Sequence, residues 1–136
     1  MIQRIQSVWL LLAAIFAAIT FSVPFYVGTP LSADIAPQLT AKSNMLLIVL
    51  TVLTGLTAFA SIFLFENRKL QLKVAVAGLV LTLALLTDYI LQLKYFTAGA
   101  FALSCVLHFG ILGLYILAIR GIRKDQKLIK SLDRLR

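Results

Sequence analysis

The sequence predicts an all-α membrane protein, a four-helix transmembrane bundle running up-down-up-down, with both termini cytoplasmic and a basic amphipathic C-terminal helix. Three observations predict it. Four apolar stretches (7–26, 45–65, 74–91 and 98–119) each approach the roughly 20 residues that a helix rising about 1.5 Å per residue needs to cross a hydrocarbon layer of about 30 Å. Hydrophobic residues make up 61% of the chain and charged residues 13%, with a mean hydropathy of +0.99, whereas a soluble domain carries roughly 25% charged residues. The basic residues are also segregated, as alternating spans require. The 136 residues suffice for a single transmembrane domain, 1–136, and leave no room for a separate soluble one.

The first stretch follows Arg4 in the basic-then-apolar order of a signal peptide. Its apolar run is long for such a peptide, and 15–24 offers no clean Ala-x-Ala cleavage site, so it is expected to be an anchor. The connection 27–44 is the longest. Pro30 and Pro37 interrupt any helix there, and Gly28, Thr29, Ser32 and Asp34 supply turn chemistry. Ser43 or Asn44 is placed to cap the second helix by accepting from its unpaired first N–H groups. The connections 66–73 and 92–97 are short, which makes helices two, three and four sequential antiparallel neighbours.

Lipid is as apolar as leucine, so such helices associate through close packing of small residues and a few interhelical hydrogen bonds. Small residues four apart occur in every stretch: Ala13 with Ala17, Ala14 with Ala18, Thr51 with Gly55, Thr54 with Ala58, Thr57 with Ser61, Gly78 with Thr82, and Ala98 with Ala102. Gly110 and Gly113 add to the fourth.

Charge sets the expected orientation. Arg4, then Arg68, Lys69 and Lys73, then Arg120, Arg123, Lys124, Lys127, Lys130, Arg134 and Arg136 all fall on one side, leaving Lys42 and Lys94 opposite. The positive-inside rule puts that basic side in the cytoplasm. Trp9 and Tyr115 are expected near that boundary, and Tyr26, Tyr89, Tyr95 and Phe96 near the outer one. The +8 net charge is thereby topological, and nucleic acid is not an expected partner. In the tail 120–136, Ile122, Leu128, Ile129, Leu132 and Leu135 recur near helical spacing among the cations. That pattern suits anionic lipid at the cytoplasmic face, a protein partner, or a solvated tail that only fixes orientation.

Ionisable residues at membrane depth are functional hypotheses by default. With helix four entering at Ala98, His108 lies about 15 Å deep, and Asp88 sits about 5 Å from the outer end of helix three. A direct His–Asp relay is therefore not expected. Instead, neutral His108 is expected to bond the hydroxyl of Thr54 or Thr82 in a midplane polar layer, and Asp88 to reach the outer headgroups near Lys94. His108 is the single histidine, so haem ligation would need a second imidazole from another chain. The single cysteine, Cys105, has no partner for an intrachain disulfide and no metal-ligand spacing. No catalytic constellation is found, so neither enzymatic activity nor a cofactor is expected.

The opening Met-Ile-Gln-Arg-Ile-Gln-Ser-Val-Trp-Leu-Leu-Leu-Ala resembles a small four-helix integral inner-membrane family of unknown function from Bacteroidota. So do Asn-Arg-Lys-Leu-Gln-Leu-Lys at 67–73, Ala-Ile-Arg-Gly-Ile-Arg-Lys-Asp at 118–125 and Leu-Asp-Arg-Leu-Arg at 132–136. The resemblance spans nearly the whole chain. It implies an inner-membrane protein with four helices and carries no activity, cofactor or active-site residues with it. Two readings of function follow from the residues. One is an accessory or scaffolding subunit that meets a membrane-protein partner or further copies of itself. The other is a self-associating small pore or transporter lined by Asp88, Thr82, Thr54 and His108, with a haem-binding subunit as a third possibility.

Overall fold

Every helix carries a buried seam that mixes small and polar residues with a few large apolar ones, and leaves many of its other large apolar side chains exposed. In the computed structural model, which describes residues 3–133, the helices are α1 (Gln3–Ile19), α2 (Met45–Phe63), α3 (Arg68–Gln92) and α4 (Cys105–Asp133). The seams are Gln6, Leu10, Ala13, Ala17 and Thr20 at α1; Leu47, Thr51, Thr54, Ala58 and Ser61 on α2; Gln71, Ala75, Gly78, Thr82, Leu85 and Tyr89 on α3; and His108, Ile111, Tyr115, Ala118, Ile122 and Asp125 on α4. Steps of three and four alternate without exception. A 3.5-residue repeat keeps one stripe facing its neighbours as helices coil left-handedly. Outside the seams, Phe63, Leu56 and Phe109 are 65%, 56% and 56% exposed. A soluble bundle would place such residues inside, whereas hydrocarbon welcomes them outside.

α1 packs on α2 and α4, and α3 packs on the same two. Among the described residues, three helices are long and apolar enough to cross a membrane, and α1 is shorter. The expected first span, 7–26, is corrected in this respect. α1 stops at Ile19, and a turn leads to Pro24, which cannot continue a helix and disfavours helical backbone at the residue before it.

Two other expected boundaries move. α3 begins at Arg68, six residues before the apolar run, because Asn67 caps it: its Oδ1 accepts from the Leu70 N–H at 3.2 Å. Asn44 caps α2 in the same manner through Leu46 N–H, at 3.4 Å. α4 begins only at Cys105, so the expected helical pair Ala98 and Ala102 lies outside it.

The chain between α1 and α2, and between α3 and α4, folds into a small sheet that periodicity did not announce. β1 (Tyr26–Pro30) lies between β2 (Gln38–Leu39) and β3 (Phe96–Phe101), antiparallel to both, and a 3₁₀ turn at Leu93–Tyr95 feeds β3. Gly28 stands opposite Gly99 in the register. A methyl group on either would run into the facing backbone and into the Tyr26 ring, which packs over the pair. Ala102 N–H donates to the Phe25 carbonyl at 3.1 Å, and the Ser104 hydroxyl donates to the Pro24 carbonyl, so the entry to α4 is held against the exit from α1.

Candidate functional site

The polar residues of the interior fall into three levels. At the first, α1, α3 and α4 meet. Gln6 lies across Gly121 and donates its amide to Oδ2 of Asp125, while the Arg68 guanidinium reaches the same carboxylate oxygen at 3.3 Å. Gln126 donates from Nε2 to the Arg68 carbonyl at 2.9 Å, and Gln71 donates to the Ser61 carbonyl at 3.0 Å, tying α3 to α2. Asp125 is 4% exposed. Its burial is tolerable because a cation and an amide share its charge.

Among the basic residues expected on a common face, one differs from the rest in its exposure. Lys69, Lys73, Arg120, Arg123, Lys124, Lys127 and Lys130 are exposed, whereas Arg68 turns inward to Asp125. Arg134 and Arg136 lie outside the described residues. The tail continues the fourth helix, as its spacing suggests: α4 runs unbroken as far as Asp133, and Ile122 and Asp125 still belong to the buried seam. A cleft of about 640 Å³ opens between the α2–α3 turn and the last turns of α4.

The second level is a tyrosine clasp. Tyr115 Oη donates to the Thr54 carbonyl at 2.7 Å and lies 2.9 Å from the Thr57 hydroxyl, so α4 grips α2 across the interior. Its ring occupies the space left by Gly78 on α3. This corrects the expectation that Tyr115 sits at a membrane boundary, for it is fully buried. The hydroxyls of Thr54 and Thr82 are engaged elsewhere, donating at 2.8 Å to the carbonyls of Leu50 and Gly78 on their own helices.

The third level lies beneath the sheet. His108 is fully buried, its ring edge-on to Tyr89 (centroids 4.7 Å apart) and to Phe25 (5.0 Å), while Phe25 stacks on Tyr89 at 4.5 Å. The expected bond from His108 to Thr54 or Thr82 does not form. The reason is the late start of α4, which puts His108 in its first turn rather than about 15 Å deep. His108 consequently stands at the level of Tyr89, next in sequence to Asp88. Even so, His108 Nδ1 and Nε2, Tyr89 Oη and Asp88 Oδ2 are all buried and, among the described residues, meet no partner at ordinary hydrogen-bond geometry. Asp88 does not pair with Lys94, whose ammonium lies over the Tyr95 ring, 5.3 Å from its centre. Cys105 is a free, partly buried thiol packed against this aromatic group. Among the described residues, no group of three or more His, Cys, Asp and Glu is placed to hold a metal ion.

Sequence reasoning passed over Gln6, Gln71, Gly121 and Asp125. Asp125 carries a signal in retrospect, since it continues the three-four spacing of Ile111, Tyr115, Ala118 and Ile122 into an otherwise basic segment.

The family model for the domain of unknown function DUF4293 matches residues 2–135, and the chain belongs to that family. No curated protein and no solved structure matches it.

Proposed function

We propose that this DUF4293 member is a multi-pass protein of the inner membrane, N-in and C-in with its helices running up-down-up-down, that acts as an accessory or scaffolding subunit of a larger membrane assembly. One observation carries the reading: the two ends of the polar inventory are used differently. Inside, threonine, glutamine and tyrosine groups hold helix to helix or bond their own backbone. Outside, seven cations from Lys69 to Lys130 are exposed, and among the described residues the ion pair joins the half-buried Arg68 to the buried Asp125. A scaffold needs a rigid interior and a surface that recognises something, and this division supplies both. The basic end would rest on anionic lipid at the cytoplasmic leaflet while an apolar flank or the same end meets a membrane-protein partner or a second copy.

The pore reading loses its lining. Thr54, Thr82 and His108 are fully buried, and both hydroxyls turn to their own helices. A haem-binding reading still requires a second imidazole from another chain. Gentle extraction from native membranes, followed by mass spectrometry, tests the scaffold. Stoichiometric companions are expected, and a clean monomer at every detergent strength would refute it. Orientation is read separately by single-cysteine labelling in a Cys105→Ser background. A cysteine at Ser32 should react with an impermeant reagent on intact cells, and one at Ser131 should not.

A further inference from the structure

We propose that the cleft between the α2–α3 turn and the end of α4 is a headgroup site for one anionic glycerophospholipid whose phosphodiester bears a hydroxylated substituent, the chemistry of phosphatidylglycerol. The inference rests on the membrane reading of the helices and is independent of any protein partner.

The cleft presents two cations, Lys69 from α3 and Lys130 from α4. Arg68 also borders it, but its guanidinium is engaged by Asp125, so the two lysines are the charges left to meet an anion. They come from different elements and face one space, which is a more selective arrangement than a row of cations along one helix face. Lys73, Arg120, Arg123, Lys124 and Lys127 lie outside the cleft and supply a field that concentrates anionic lipid around it.

The other lining groups choose among anions. Glu66 repels a bare phosphate but accepts hydrogen bonds from hydroxyl groups carried beyond the phosphodiester. Gln126 adds a second acceptor, because its amide nitrogen is bonded to the Arg68 carbonyl and its oxygen is left over. Ile129 lines the same cleft, and Leu70, Phe65 and Leu128 are exposed on the elements that form it. Cationic, hydroxyl-accepting and apolar surfaces side by side match an amphiphile. They do not match inorganic phosphate or a nucleic acid, which would leave the apolar part in contact with water.

The test uses the full chain, delipidated in mild detergent and titrated with short-chain phosphatidylglycerol, phosphatidic acid, phosphatidylethanolamine, phosphatidylcholine or inorganic phosphate. Native mass spectrometry reads the adducts, and the thermal midpoint reads the protection. One phosphatidylglycerol per chain is expected. Lys69→Gln with Lys130→Gln should weaken it by about tenfold or more, while Lys73→Gln with Lys124→Gln, an equal loss of charge outside the cleft, should weaken it less than about threefold. Glu66→Gln should reduce the preference for phosphatidylglycerol over phosphatidic acid. Equal losses in the two double variants would overturn the proposal in favour of a diffuse ionic layer. So would equal protection by inorganic phosphate, equal binding of the ethanolamine lipid, or no adduct. Should the cleft double variant lose helicity, Lys130→Gln alone carries the same comparison with a smaller change, because that side chain is exposed and forms no ion pair among the described residues.

Discussion

The two ends of the bundle solve the same problem in opposite ways. At the basic end, buried polar atoms find each other: Asp125 takes both Gln6 and Arg68, Gln126 takes the Arg68 carbonyl, and Gln71 takes that of Ser61. Beneath the sheet, Asp88 Oδ2, Tyr89 Oη and both nitrogens of His108 have no partner at ordinary hydrogen-bond geometry among the described residues, and these side chains are held by aromatic contact. The first end is specified by directional bonds between distant parts of the chain. The second is specified by shape and tolerates polar groups it does not satisfy. Directional networks are intolerant of losing one member, while an unsatisfied group is removed at little cost.

That contrast fixes the order of the expected mutational effects, read as unfolding free energies from far-UV circular dichroism in mixed micelles of increasing SDS fraction. Asp125→Ala should be the most damaging, at about 3 kcal/mol, because it leaves a buried amide and a half-buried guanidinium without their acceptor. A loss under about 1 kcal/mol would mean that water replaces the carboxylate and that the basic end is not directionally held. Gly78→Ala follows at about 2 kcal/mol, since the new methyl group meets the Tyr115 ring in a packed interior. Tyr115→Phe, which keeps the ring and removes the bonds to α2, should cost about 1 kcal/mol, the scale of an interhelical hydrogen bond in a membrane. His108→Leu closes the series, with a change within about 1 kcal/mol of zero and toward greater stability, because a comparable volume returns without orphaned nitrogens. A large loss for His108→Leu would show that the histidine has a polar partner in the membrane and would erase the distinction between the ends.

Much of this architecture was legible in the sequence. Four helices, the short α2–α3 connection and the collection of cations at one end follow from apolar run length and charge, and small residues in steps of four marked part of the seams. What escaped was non-local. Residues 98–101 read as the start of a helix because alanine, glycine and phenylalanine are apolar, and only pairing with β1, some seventy residues earlier, makes them a strand. The residue run 68–73 read as a loop because of its charge, although Asn67 before it was a legible cap. The misplaced start of α4 then displaced the depth of His108, and with it the expected midplane layer. The pairing of Gln6 with Asp125 spans nearly the whole chain, and no local pattern announces the partner of either.

The pairing of β1 with β3 has a bearing on biogenesis. Of the two strands that flank β1, β3 is the more extensive partner, and it lies just ahead of the last helix. During synthesis, β1 must therefore wait with an open strand edge until about three quarters of the protein has emerged. Only then can the sheet be stitched shut, which makes the late arrival of the Gly99 segment the event that closes the molecule.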